Sequence, residues 1–153
     1  MPESSSRPRA EEYIPAAFER IYAAFLAADT ATLDSYLDED ITIWIPPEPQ
    51  LSFGIGGLDA IRARRQPDAG VNTATSVTIH DMVVDSHQDV AWARHIVVAE
   101  LAGAQTEVLR VTSVWRRDGS RWVQVHSHED LLPGVSYPFA VLPETGLSGS
   151  ASA

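Results

Sequence analysis

Beyond a polar start, apolar residues recur as Ile14, Phe18, Ile21, Tyr22, Phe25 and Leu26. That spacing gathers them on one helical face, so the pattern predicts an amphipathic helix from Glu11. "ADTATLDSYL" breaks the run and predicts a second, short helix. Asp29 or Thr30 would cap it, with Leu33, Tyr36 and Leu37 facing inward. "ITIWIPP", Ile41 to Pro47, is β-branched and aromatic and stops at two prolines, which predicts a short strand. "PEPQLSFGIGG" reads as a loop and "GLDAIRARRQ" as a third short helix with a basic end, where cations suit the dipole.

From there the period changes. "NTATSVTIHDMVVDS", "DVAWARHIVVAEL", "EVLRVTSVWRR" and "RWVQVHSHEDL" each read as strands. The last two are joined by an Asp118-Gly119 turn. Helices gathered at the front and antiparallel strands behind predict an α+β fold, a curved sheet wrapped on N-terminal helices.

A chain of 153 residues suits one domain with a core of useful size. The expected organisation is a disordered segment over 1–10, a domain over 11–135 and a tail over 136–153. A formal charge of −10 argues against a nucleic-acid partner, which needs basic patches. The absence of Cys excludes thiolate chemistry and Cys-type metal sites. No apolar run is long enough to span a membrane, and the polar N-terminus lacks the apolar stretch of a secretory signal. The expected location is cytoplasmic. "LPETG", Leu142 to Gly146, matches a sortase motif, but the apolar span a sorting signal needs is missing; it reads as chance or a tag.

Three stretches carry a family resemblance: "LDSYLDED" after the first helix, "GGLDAI" at the start of the third, and the hairpin "RVTSVWRRDGSRWVQVHSHED". Together with the element order they resemble the NTF2-like superfamily, and its SnoaL-like and ketosteroid-isomerase-like branch in particular. The hairpin is also similar to that of the calcium/calmodulin-dependent kinase association domain. The resemblance implies a cone: a strongly curved sheet closed by helices, with an apolar pocket in its mouth and a homodimer formed through the convex sheet face. It does not fix function, because members include isomerases, cyclases, epoxide hydrolases and non-catalytic assembly domains.

Strand alternation, aligned to these relatives, implies that Trp92, Arg94 and Ile96 point inward, followed by Val111, Ser113 and Trp115, and then Val123, Val125, Ser127 and Glu129. His95, Arg110, His126 and His128 would lie on the convex face. A bulge would reverse the parity beyond it and could bring His128 to the pocket as an acid or base. On the first parity, Arg94 and Glu129 are the conspicuous inward charges. They would either form the catalytic pair, Arg94 polarising an oxygen and Glu129 moving a proton, or an ion pair stabilising the rim. Tyr22, Ile45, Phe53, Trp92, Ile96, Ser113, Trp115 and Ser127 are the candidate substrate-binding residues. Phe53 reads as a lid or as a loop anchor.

The relatives' own machinery is incomplete here. Ile45 stands where ketosteroid isomerases carry a base Asp, and Ser113 where they carry a second acid. Ile96 and Ser127 replace the two Asp of limonene-type epoxide hydrolases. Ser113 and Glu129 replace arginines of the kinase association domain. His126 and His128 share a face, but zinc needs further ligands, so no metal is expected. The expectation is a cofactor-independent enzyme acting by proton transfer on a small, mostly apolar carbonyl-type molecule, as isomerase, cyclase, dehydratase or hydrolase. The alternative is a non-catalytic ligand-binding or assembly module.

Overall fold

A computed structural model describes residues 7–65, 73–103 and 105–140. The first six residues of the segment expected to be disordered, and the LPETG stretch, lie outside the described residues. Helix α1 spans Ala10–Leu26 and buries Ile14, Phe18 and Ile21 of the predicted stripe together with Ala10, Ala17 and Ala24, whereas Phe25 and Leu26, expected on the same face, are exposed near its C-terminal end. Helix α2, Thr30–Asp34, starts at Asp29, whose carboxylate accepts the Thr32 N–H at 3.1 Å. Strand β1, Leu37–Trp44, begins at Leu37, not at Ile41. Its acidic first half shows no strand pattern, yet Leu37 pairs with Gln124. Strand β2, Ser52–Phe53, was expected as loop; two paired residues are too few to show a period. Helix α3, Gly54–Arg65, starts where Gly54 adopts a positive φ of 69°. Strands β3 (Ala74–His87), β4 (Val90–Leu101), β5 (Thr106–Asp118) and β6 (Arg121–Leu131) complete the chain.

The six strands form one curved open sheet in the order β2-β1-β6-β5-β4-β3. The β1–β6 pair is parallel and all the others are antiparallel. The expected α+β architecture is the observed one. Helix α1 packs on the inner face, where Ala10, Ile14, Ala17, Phe18 and Ile21 meet Ala91, Ala93, Trp115 and Trp122. A second cluster packs Leu58 of α3 against Ile41 and Ile43 of β1. Among the described residues, no helix is long and apolar enough to cross a membrane.

Two parities need correction. In β4 the buried positions are Ala91, Ala93, His95, Val97 and Ala99, so Trp92, Arg94 and Ile96 face outward. The reason is close packing. Phe18, Trp115 and Trp122 fill the inner-face cluster in which Ala91 and Ala93 are fully buried, and the bulkier alternate residues of β4 take the outer face. In β6 a register shift between the Val114 and Trp115 pairings leaves Val125 unpaired. Trp122 and Gln124 therefore take the inner positions opposite Arg117 and Trp115, in place of Val123 and Val125. Beyond the bulge, Ser127 and Glu129 pair with Ser113 and Val111 on the inner face, as expected.

The β4 parity is testable by stability. Ala93→Leu would force a larger side chain into the α1 contact and is expected to destabilise by about 1–3 kcal/mol. Arg94→Leu, next to it but on the outer face, should cost no more than about 1 kcal/mol. Urea denaturation of the two variants separates the parities, since the opposite one demands the reverse order.

Candidate functional site

The inner face of the sheet is built in rows across neighbouring strands. One row is His95, Val111 and Glu129; the next is Ala93, Ser113 and Ser127; a third is Ala91, Trp115 and Gln124. Phe18 of α1 sits over the first and third rows. Its ring centroid lies 4.3 Å from that of His95 and 5.4 Å from that of Trp115. Tyr22, one turn further along α1, follows Phe18 onto the sheet, and its phenol oxygen lies 2.7 Å from His95 Nε2. Trp115 donates its indole N–H to Ser113 Oγ at 2.9 Å. Thus Ser113 and Trp115 satisfy each other, and His95 and Tyr22 do so in part.

Burial decides the protonation of these groups. His95 is buried, and desolvation lowers its pKa from 6.5 to about 4, so the ring is neutral at pH 7. Among the described residues, its Nδ1 has no hydrogen-bond partner. Desolvation, and next the charge of Glu129, push the Tyr22 hydroxyl well above its ordinary value, so it stays a proton donor. Glu129 is also raised by desolvation, from 4.5 to about 7, against a lowering by the charge of Arg65. Among the described residues, no side chain hydrogen-bonds or ion-pairs with Glu129. A half-buried carboxyl without a partner, poised near neutrality, can give or take a proton at pH 7.

Glu129 opens onto a notch of about 400 Å³, lined also by Trp44, Ile45, Pro46, Pro47, Glu48 and His128. The notch lies where β1 ends beside β6 and runs into the two prolines. Its walls are mostly apolar. Of the residues singled out from sequence, Ile45, His128 and Glu129 meet here. Tyr22, Ser113, Trp115 and Ser127 share the inner face.

The others lie elsewhere. Arg94, expected to pair with Glu129, instead donates to Asp85 at 2.6 Å on the exposed outer face. Trp92 stands beside it, 40% exposed. Ile96 lies on the same outer face and lines a separate groove of about 530 Å³ with Arg94, Arg110, Thr112, His128, Asp130 and Phe139. Phe53 in β2 is 71% exposed and touches neither cavity. His126 accepts from or donates to Thr42 Oγ1 at 2.7 Å, and His128 packs on Trp44, so the H-x-H pair is spoken for by its neighbours. Among the described residues, no three His, Asp or Glu gather to hold a metal ion. Sequence reasoning missed His95 and Arg65. The alternating alanines at 91 and 93, facing an alanine-bearing helix, were the signal for His95. Arg65 had none beyond its place in a basic helix end.

Residues 18–125 match the SnoaL-like domain. The chain belongs to the SnoaL-like family. That places it in the NTF2-like superfamily. No curated protein matches it. Among solved structures, the CaMKII hub of S. rosetta is similar with a TM-score of 0.70 at 18% identity, over 82% of this chain and 98% of that one. An NTF2-like protein from Pseudomonas putida KT2440 gives 0.70 at 18%, over 88% and 96%. A ketosteroid isomerase-like protein from Erwinia carotovora atroseptica gives 0.64 at 15%, over 81% and 97%. At such identities the likeness is one of fold.

His95 and Glu129 bend the pH dependence of stability in opposite directions. As pH falls from 6.5 towards about 4, the unfolded chain protonates His95 before the fold does, and stability drops. As pH rises from 4.5 through about 7, the fold retains the Glu129 proton that the unfolded chain releases, and stability also drops. Each shift corresponds to about 3 kcal/mol over its full window. Between pH 4.5 and 6.5 the two nearly cancel. Glu129→Gln is therefore expected to turn a nearly flat profile into one that rises with pH across that range, read by urea unfolding at several pH values. A variant as flat as wild type would show that one of the two groups is not buried as described.

Proposed function

We propose that the protein is an acid–base enzyme that moves a proton on a small, mostly apolar molecule next to a carbonyl-type oxygen. The observation that carries this reading is Glu129: a carboxyl with no protein partner, raised to about 7, at the wall of an apolar notch. Structural carboxylates are normally paired or solvated; an unpaired one held near neutrality is costly unless used. Tyr22 supplies the complementary group, a neutral hydroxyl close enough to feel the charge of Glu129. Glu129 would take the proton from carbon while Tyr22 donates to the oxygen that gains charge. His95 keeps the phenol in place from behind. This assigns to Tyr22 the polarising role that Arg94, on the outer face, does not have the position for. The reaction needs no group beyond these side chains. Isomerisation, aldol-type cyclisation and dehydration all begin with this step.

The test is deuterium uptake from D₂O at the carbon beside the carbonyl of phenylacetone and 2-tetralone, followed by NMR. Glu129→Gln is expected to lower the protein-dependent exchange roughly 100- to 10,000-fold. Tyr22→Phe should lower it roughly 100- to 1,000-fold. Exchange with wild type no faster than with Glu129→Gln, together with a Glu129 carboxyl that titrates near 4.5 by NMR, would remove the reading.

A specific observation also favours assembly. The outer face exposes Trp44 and Trp92, at 42% and 40%, beside His126, His128 and Val114. Large aromatics on an open sheet face are typical of a contact surface. The similarity to two CaMKII hub structures points the same way. We infer a homodimer through this face, compatible with the enzyme reading because the notch opens beside it. Wild type should run as a dimer in light scattering at micromolar concentration, and Trp92→Glu should run as a monomer that keeps its fold by circular dichroism. A wild-type monomer would end the inference.

A further inference from the structure

Charges around the notch are unequally compensated. The chain carries 21 acidic residues against 11 basic ones, so a cation here rarely lacks a carboxylate. In the last turns of α3, Arg62 is bound by Asp34 at 2.7 Å and by Asp59 at 2.9 Å. Arg64 is bound by Glu48 at 3.2 Å, which neutralises the other acid lining the notch. Arg65 differs. Among the described residues it meets no carboxylate, and its Nη2 donates to the carbonyl oxygen of Pro46 at 2.7 Å. Pro46 is a wall of the notch, so this bond anchors a guanidinium beside it with most of its N–H donors unused. Two groups without an ion-pair partner among the described residues thus border the notch: the Glu129 carboxyl at its wall and the Arg65 guanidinium at its edge.

We infer that Arg65 selects the substrate class: a small apolar acid, its carboxylate held by Arg65 and its reactive carbon facing Glu129. This rests on the acid–base reading above and adds the substrate's charge to it. A guanidinium fork matches a carboxylate with two parallel hydrogen bonds, which a neutral amide cannot reproduce. The net charge of −10 repels anions in general, so an acid gains a foothold only where a local cation stands uncovered. Binding an acid also changes what Glu129 feels. The ligand takes up the charge of Arg65, the cation that lowers the Glu129 carboxyl, so the carboxyl holds its proton more tightly.

The experiment compares 3-phenylpropanoate with its neutral amide, 3-phenylpropanamide, by titration calorimetry on the full chain at pH 6. Wild type is expected to bind the acid at least tenfold more tightly than the amide. Arg65→Gln should erase that preference and Arg65→Lys should keep part of it. Acid binding should weaken as the pH rises through about 7, where Glu129 becomes charged, and Glu129→Gln should remove this pH dependence. Equal affinity for the two probes, a preference that survives Arg65→Gln, or binding of neither would overturn the inference. The acid–base reading falls separately: if the probes bind equally but Glu129-dependent deuterium exchange persists, only the role of Arg65 is lost. If exchange is absent while the Arg65-dependent preference remains, the notch is an acid-binding site without that chemistry.

Discussion

The packing on which the rest depends is that of Phe18 of α1 and Trp115 and Trp122 of the sheet in one cluster with Ala91 and Ala93 of β4. Small residues at 91 and 93 leave that volume to the large rings, and this fixes which face of β4 is inside. With that face chosen, His95 must be buried and Arg94 must not. Phe18 then fills the space between His95 and Trp115, and Tyr22 reaches His95 through its hydroxyl. A larger residue at 91 or 93 would compete for the volume that Phe18, Trp115 and Trp122 fill. The polar set of the inner face is thus a consequence of apolar packing a turn away.

Burying polar groups in that space is costly, and the fold meets the cost in two ways. Ser113 and Trp115 close on each other within hydrogen-bond distance. His95 and Glu129 instead meet it by staying neutral near pH 6, one by losing a proton and the other by keeping it. Their penalties have opposite pH slopes, so the fold carries both across the mildly acidic range at little change in stability. What cannot be hidden by titration is hidden by pairing: each charged arginine of the outer face, Arg94, Arg110 and Arg116, has its aspartate.

Much of this was legible in the sequence. Helix α1 announced itself because its apolar stripe is a packing requirement, and packing sets the period. Element order and the closing hairpin follow from the same patterning, and the family and the inward parity of Glu129 follow from the resemblance to relatives. The failures are equally physical. The β4 run "VAWARHIVV" alternates small and large residues, and the small ones face the core because Phe18, Trp115 and Trp122 fill the space there. The β6 bulge adds a residue that no pattern signals, so Val123 and Val125 were placed on the face that Trp122 and Gln124 occupy. Strand β2 is too short to show a period, and the reach of Arg65 back to Pro46 is a side-chain contact on which local pattern says nothing.

The fold leaves enzyme and assembly module open, because it serves both in its relatives. The residues narrow the choice. An assembly module needs only its outer face; nothing in dimerisation asks for an unpaired carboxyl on the other side of the sheet. The fold could have put an apolar residue at 129, as it does at Val111 and Val97 on the same face, and gained stability above pH 7. Keeping Glu129 there, without a partner and beside a notch, is a feature that folding and association leave unexplained and that proton transfer explains. The outer face and the notch meet where β1 ends beside β6, because Trp44 and His128 belong to both. Alternation turns Glu129 to the inner face next to His128, so the contact surface and the site share one edge of the sheet.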